Sequence, residues 1–266
     1  MQGHLYAREG RLYSPSKWAG SPWSPKAQHG GPVNALFMRA AERAGSEVGM
    51  RVARLTVDIL KPVPLEPLAV STEFRRRGRR MAVLDAAMTR ADDDTPVATA
   101  RIVALRERDE LAAAFSAPSE RPAGPEGIPS RGLVPPELRD QFPPGFHLSV
   151  EIRQSRDDSG AIAWLTTPLD LVEGESMSRL ERCAAICDLT AVISGQMQPV
   201  EGSTSQFSMM LNTDTTIHLL RPPAGEWFAF SNSSVADRNG IGVAAVALHD
   251  EMGYLGRSAQ TMTSST

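Results

Sequence analysis

The run at 180–195, Leu-Glu-Arg-Cys-Ala-Ala-Ile-Cys-Asp-Leu-Thr-Ala-Val-Ile-Ser-Gly, restricts the architecture more than any other stretch of this chain. It reads as a helix closed by its glycine. On a 3.6-residue period Leu180, Cys183, Ala184, Cys187 and Ala191 make one stripe, while Ile186, Leu189 and Ile193 cover the back. A helix that is apolar all round is buried, so the rest of the fold must wrap it. Asp188 is the acid inside that apolar part. A carboxylate there has to be hydrogen-bonded or paired. Such groups concentrate at functional sites, with a structural brace as the competing explanation.

The wrapping comes from an internal duplication. Residues 4–13 form two short apolar runs around Arg8-Glu9-Gly10, a hairpin pattern. A helix is expected from about Pro32 to Ala44, with Gly45 as its stop and Pro32 in the first turn. Strand-like runs follow near 51–60, 68–76, 81–90 and 95–106; in the first, Leu55, Val57 and Ile59 alternate with polar residues. The order then recurs: a hairpin near 147–154 and 161–167 turned by Asp157-Asp158-Ser159-Gly160, the Asp188 helix, and strands near 206–220, 226–236, 241–249 and 254–263. Thr56-Val57-Asp58-Ile59-Leu60-Lys61-Pro62 echoes Thr216-Ile217-His218-Leu219-Leu220-Arg221-Pro222, and Ala98-Thr99-Ala100 echoes Ser258-Ala259-Gln260. Residues 1–115 and 147–266 are therefore two repeats, the second carrying Asp188, with a Pro/Gly-rich linker or loosely packed connection at 116–146. One mostly apolar helix plus one antiparallel sheet, twice over, is an α+β architecture with pseudo-twofold symmetry.

A chain of 266 residues with 41% hydrophobic content can bury a substantial core. A net charge of −3 gives no reason to expect nucleic acid or an anionic membrane as partner. No run of 18 apolar residues predicts a membrane span, and the N-terminus lacks the organisation of a secretion signal. Cys183 and Cys187, both in the apolar helix, read as small packing residues in a reducing compartment, with the cytoplasm as the default location.

In the strand expected from Gln206, the even positions carry Ser208, Asn212, Asp214, Thr216 and His218, which puts Asn212, Asp214 and Thr216 on one face. A solvent-facing polar side would give the same pattern. The last strand brings Gln260 mid-strand beside small residues. A carboxylate and two carboxamides suffice to hold and orient one water, with the acid as base or electrostatic partner. Gln28-His29-Gly30-Gly31-Pro32 opens the first helix, and its two glycines leave N–H groups unobstructed at the positive helix end, a place for an oxyanion. His29 there is a capping or packing residue on the simpler account. No Gly-x-Ser-x-Gly, His-x-x-x-His, Cys-x-x-Cys, Walker A or Gly-x-Gly-x-x-Gly is present, so a serine-hydrolase elbow, a zinc site and nucleotide loops lack their signatures. Arg75-Arg76-Arg77-Gly78-Arg79-Arg80 is a hairpin end, a solvated loop or a phosphate patch for a long anionic cofactor.

Five segments carry a resemblance when taken together: Ala27-Gln28-His29-Gly30-Gly31-Pro32, Leu211-Asn212-Thr213-Asp214-Thr215-Thr216-Ile217-His218, Arg221-Pro222-Pro223-Ala224-Gly225-Glu226-Trp227, Gly240-Ile241-Gly242 and Gly256-Arg257-Ser258-Ala259-Gln260. With them the chain resembles the double hotdog acyl-CoA thioesterases, the medium-chain type II group and its actinobacterial relatives, over nearly its whole length. The resemblance implies hydrolysis of acyl-CoA to free acid and CoA, with water positioned by Asp188, Asn212 and Gln260. It implies substrate or oxyanion contacts at Gly30, Gly31 and His29. No metal or separate cofactor is implied, coenzyme A entering as part of the substrate, and a homodimer is expected by fold analogy. The residues after Asp188 depart from the family's usual Asn-Gly-x-Ser. The matching place on the first helix, Arg39-Ala40-Ala41-Glu42, has no acid on an apolar run, so one active site per chain is expected. A non-catalytic acyl-CoA-binding protein is the alternative. Enoyl-CoA hydration is disfavoured, since the hotdog proteins that perform it use an Asp-x-x-x-x-His pair, which would need a histidine where Ile193 stands.

Overall fold

The computed structural model describes residues 3–108, 111, 115, 122–157, 160–197 and 210–264. The first half runs β1 (His4–Glu9), β2 (Leu12–Pro15), a 3-10 turn (Lys17–Ala19), α1 (Gly30–Glu47), β3 (Arg51–Ile59), β4 (Leu68–Arg77), β5 (Met81–Arg90) and β6 (Pro96–Leu105). The second begins with β7 (Arg131–Gly132), two 3-10 turns (Pro136–Gln141 and Phe146–Leu148), β8 (Glu151–Asp157), β9 (Gly160–Thr166) and β10 (Asp170–Val172). It continues with α2 (Arg179–Cys187), α3 (Thr190–Met197), β11 (Met210–Asn212), β12 (Asp214–Leu219), β13 (Phe228–Arg238), β14 (Ile241–Asp250) and β15 (Gly253–Ser264). Residues 206–209 of the expected strand and Asp158-Ser159 of the expected turn lie outside the described residues.

The strands form one sheet whose order explains the sequence echoes. Across it run β10-β1-β2-β4-β5-β6-β3-β12-β15-β14-β13-β9-β8-β7, with β11 also on β15. From the central β3–β12 pair outward, each half gives the same order, so a twofold axis passes between those two strands. Thr56 lies opposite Thr216, and their hydroxyls approach to 3.3 Å. These are the residues that head the two echoing segments. In an antiparallel pair related by a twofold, equivalent residues face each other only at the axis.

The register also corrects one echo. Thr56 faces Arg101 on β6, and Thr216 faces Ala259 on β15. Arg101 is thus the counterpart of Ala259, and Ile102 that of Gln260. The small-residue pattern of β6 repeats every second position, so a slip of two residues leaves every side chain on its face and the sequence match blind to it.

The inner face of this sheet covers the helices, as the all-round apolar helix requires. Ala82, Leu84, Ala86 and Met88 of β5 are buried, as are Val33, Leu36, Phe37 and Met38 of α1 and every residue from Glu181 to Cys187. Full burial of one such Leu or Phe stabilises the fold by about 1.5–3 kcal/mol. Cys183 and Cys187 are free thiols inside this core. No helix of the described residues is long and apolar enough to cross a membrane.

Three expectations need correction. Gly45 lies inside α1, which ends at Glu47, and Gly195 lies inside α3. The single helix expected at 180–195 is two helices, broken at Asp188-Leu189. The described part of the connection after 121 is not loose: Trp164 Nε1 donates to the Ala123 carbonyl (2.9 Å), Leu133 is buried, and Phe146 is sealed from solvent.

Candidate active site at the seam between the halves

The helix break decides where Asp188 points. A capping box at Ser178 and Glu181 starts α2, and Asp188 is its C-terminal cap. An uninterrupted helix would carry the Ala191 N–H to the Cys187 carbonyl and fill the Asp188 carbonyl from the next turn. Here Gln260 of β15 inserts into that ladder: its Oε1 accepts from Ala191 N–H (2.8 Å) and its Nε2 donates to the Asp188 carbonyl (2.9 Å). The Cys187 carbonyl takes the Thr190 hydroxyl instead (2.8 Å). A side chain inserted into the ladder is a recognised cause of a kink. The second Nε2 hydrogen of Gln260 goes to Thr215 Oγ1 (2.9 Å), so its carboxamide is fully engaged by the protein.

Asp188 is buried, and both carboxylate oxygens have partners. Oδ1 accepts from Asn212 Nδ2 (2.8 Å), and Oδ2 lies 2.7 Å from His29 Nδ1. His29 belongs to the first half, where it caps the N-terminus of α1 and its own N–H is fixed to the Ala19 carbonyl (2.8 Å). The site therefore straddles the two repeats. Its glycines follow from this crossing: a Cβ on Gly30 would collide with the Asp188 carboxylate, and one on Gly31 would lie 2.6 Å from Phe146 Cε1 and 2.8 Å from the Ala185 carbonyl. The positive end of α1 thus faces a carboxylate, where negative charge is favoured.

The expected alignment of Asn212, Asp214 and Thr216 on one face does not hold. Asn212 faces Met262, but Thr216 faces Ala259, so β11–β12 advances four residues while β15 advances three. This bulge around Thr213 turns Asn212 inward and leaves Asp214 accepting from the Thr261 N–H (2.8 Å). Alternation then puts buried Thr215 on the inner face beside Gln260, a position that the sequence reading did not single out. A bulge adds one residue without any composition signal, so nothing in the sequence marked it.

Other flagged groups lie elsewhere or serve the scaffold. Arg221 holds the buried Asp250 through two 2.6 Å contacts, and Asp250 also accepts from Ala224 N–H (2.7 Å), so the Arg-Pro-Pro-Ala-Gly-Glu-Trp segment is a braced turn. Burial pushes the Asp250 carboxyl upward, but Arg221 and the backbone N–H groups outweigh it and hold it below its ordinary range. In the arginine hairpin, Arg75 pairs with Asp85 and Glu73, and Arg77 stacks 3.8 Å over the Phe74 ring. Two surface grooves, of about 540 and 490 Å³, run over β3–β6 and over the β3–β12 junction, and neither is lined by Asp188, His29, Asn212 or Gln260.

His147 was not foreseen. It sits on the 3-10 turn after the connection, buried, its ring stacked on that of His29 (centroids 6.2 Å, planes 18° apart). Phe146 meets His29 edge-on at 5.2 Å. Burial, with the His29 ring beside it, brings the His147 pKa down to about 3. Apart from the Pro143 backbone, its ring nitrogens meet no hydrogen-bonding group among the described residues.

Family models match the chain twice: the acyl-CoA thioesterase N-terminal domain over residues 19–105 and the C-terminal domain over 117–264. The chain belongs to the acyl-CoA thioesterase family. Solved structures place this thioesterase-family chain in the hotdog fold. A candidate thioesterase II of Thermobifida fusca superposes with a TM-score of 0.69 at 16% identity, covering 97% of this chain and 96% of its own. A candidate thioesterase of Novosphingobium aromaticivorans gives 0.69 at 19% identity, covering 97% and 98%. A hotdog-fold protein of Alicyclobacillus acidocaldarius gives 0.67 at 17%, covering 98% and 96%. A comparison with curated proteins found no match.

Proposed function

We propose that this thioester hydrolase acts on acyl-CoA at the Asp188 seam, where water attacks the thioester carbonyl to give free acid and CoA. One observation carries the assignment to this place: a buried carboxylate held from both halves, by Asn212 on one oxygen and His29 on the other. Asp188 organises the attack. Asn212 fixes the carboxylate, and Gln260 fixes the helix break from which Asp188 projects, which makes Gln260 a positioning residue. The N-terminus of α1 at Gly30 offers the positive end of a helix to the developing oxyanion; the Gly31 N–H points to His29 Nδ1 (3.2 Å). The acyl chain lies between the two halves, among apolar side chains.

The test is thiol release from short, medium, long and aromatic acyl-CoAs by wild type and Asp188→Asn. The variant is expected to lose about 10²-fold or more in turnover while remaining folded. Near-full activity in Asp188→Asn would remove the assignment. Binding of acyl-CoA without release by the wild type would favour the acyl-CoA-binding alternative.

A further inference from the structure

The contacts around His29 give it more than a cap. Its Nδ1 lies 2.7 Å from Asp188 Oδ2 and 3.2 Å from the Gly31 nitrogen. Both cannot be hydrogen bonds at once, because Nδ1 must carry a proton to reach the carboxylate and lack one to accept from Gly31. The shorter, charge-assisted contact to a buried carboxylate is the stronger. It puts the proton on Nδ1 and leaves the Nε2 lone pair as the basic atom of the pair. A carboxylate that fixes an imidazole tautomer in this way also stabilises the imidazolium formed when Nε2 takes a proton.

The surroundings fit that use. The Asp188 carboxylate is 3% exposed with both oxygens engaged, so a water reaching it directly would have to displace Asn212 or His29. The His29 ring is held in place by the Phe146 edge and the stacked His147 ring. His147 stays neutral down to about pH 3, so no second cation opposes an imidazolium beside it.

We infer that His29, oriented by Asp188, is the general base of the hydrolysis, carrying the proton between water and the leaving thiol. This rests on the thioesterase reading above. Nε2 takes one proton from water as its oxygen bonds to the thioester carbon, and the carbonyl π electrons move onto oxygen. As the tetrahedral oxyanion re-forms the carbonyl, the C–S bond breaks and the sulfur takes the Nε2 proton. The products are a carboxylic acid and a thiol, and His29 returns to its starting state.

Two variants test it. Asn is a good helix cap, so His29→Asn keeps the α1 start without a proton carrier. Gly is also tolerated at a helix cap, so His29→Gly keeps the helix start and leaves room for free imidazole. The expected result for His29→Asn is an unchanged thermal melt and a kcat lower by about 10²-fold or more. Added imidazole is expected to restore turnover in His29→Gly and not in Asp188→Asn. A His29→Asn enzyme within about threefold of wild type overturns the inference, as does a folded His29→Gly enzyme that imidazole cannot rescue. In either case an inactive Asp188→Asn leaves the thioesterase assignment standing with Asp188 as direct base. A wild type that releases no thiol, or a fully active Asp188→Asn, takes both down together.

Discussion

The pair Thr215–Gln260 has an apolar counterpart in the same molecule, and exchanging the two tests the role of the helix break. By the register at the twofold, Thr215 corresponds to Leu55 and Gln260 to Ile102, which face each other on β3 and β6 and are both sealed from solvent. Beside them α1 runs unbroken from Gly30 to Glu47. Gln260→Leu alone strips partners from the Ala191 N–H and the Asp188 carbonyl, at about 1–3 kcal/mol for each buried group, or about 2–6 kcal/mol if the break persists. If instead the α2–α3 ladder closes, those groups find each other's neighbours and the loss falls to about 1 kcal/mol. Thr215→Val/Gln260→Leu also removes the orphaned hydroxyl, so the double variant is expected to be the more stable of the two. Its activity is expected to fall by about 10²-fold, since a displacement of about 1 Å at Asp188 is enough for that. Urea unfolding measures the first quantity, thiol release the second, and far-UV circular dichroism reports any gain in helix. A double variant that turns over at the wild-type rate would refute the argument that Gln260 positions Asp188 by holding the helix open.

Gly30→Ala and Gly31→Ala separate activity from packing. The first places a methyl on the Asp188 carboxylate and is expected to cost about 10²-fold in kcat with the fold retained; the second meets the Ala185 backbone and Phe146 and is expected to lower the melting temperature. For His147, a folded pKa of about 3 against an unfolded value near 6.5 means that the unfolded chain binds its proton first, so stability is full above about pH 6.5 and declines as pH falls toward 3. His147→Gln should therefore shrink the stability difference between pH 7 and pH 5, read by urea titration, by about 2 kcal/mol; an unchanged difference would count against the buried neutral ring. Arg221→Met leaves the Asp250 carboxylate buried without its ion pair and is expected to cost about 3 kcal/mol or more in the same assay, with activity following stability only.

What the sequence made legible was whatever repeats or alternates. The all-round apolar helix demanded a sheet around it, and the echo of residues 56–62 in 216–222 announced two halves related by a pseudo-twofold. Asp188 was visible as an acid on an apolar helix, Asn212 as one of the polar residues alternating along a strand, and His29 as the residue before a glycine-rich helix start. What stayed hidden depends on residues far apart in the chain. The break at Asp188 is made by Gln260, 72 residues later, while the run around it has unbroken helical periodicity. The bulge at Thr213 shifts the face of Asn212 against Thr216 with no mark in composition. The contact of His29 with Asp188 joins residues of different repeats, so neither repeat taken alone predicts it.

The duplication also accounts for the single site proposed in a symmetric frame. Where the two helices cross a second time, Arg39 of α1 pairs with Glu181 (2.8 Å) and Glu175 (2.6 Å), and Glu42 accepts from the Ser178 hydroxyl (2.7 Å). That crossing likewise sets the start of one helix against the side of the other, but two of its carboxylates share Arg39 and its sheet positions are Leu55 and Ile102. There Glu175 and Glu181 are tied to Arg39 and Glu42 to a hydroxyl, whereas the Asp188 carboxylate has one ionisable partner, His29. The two halves share a backbone plan; on the proposed assignment the chemistry belongs to the half whose helix is held open, completed by His29 at the other half's helix start.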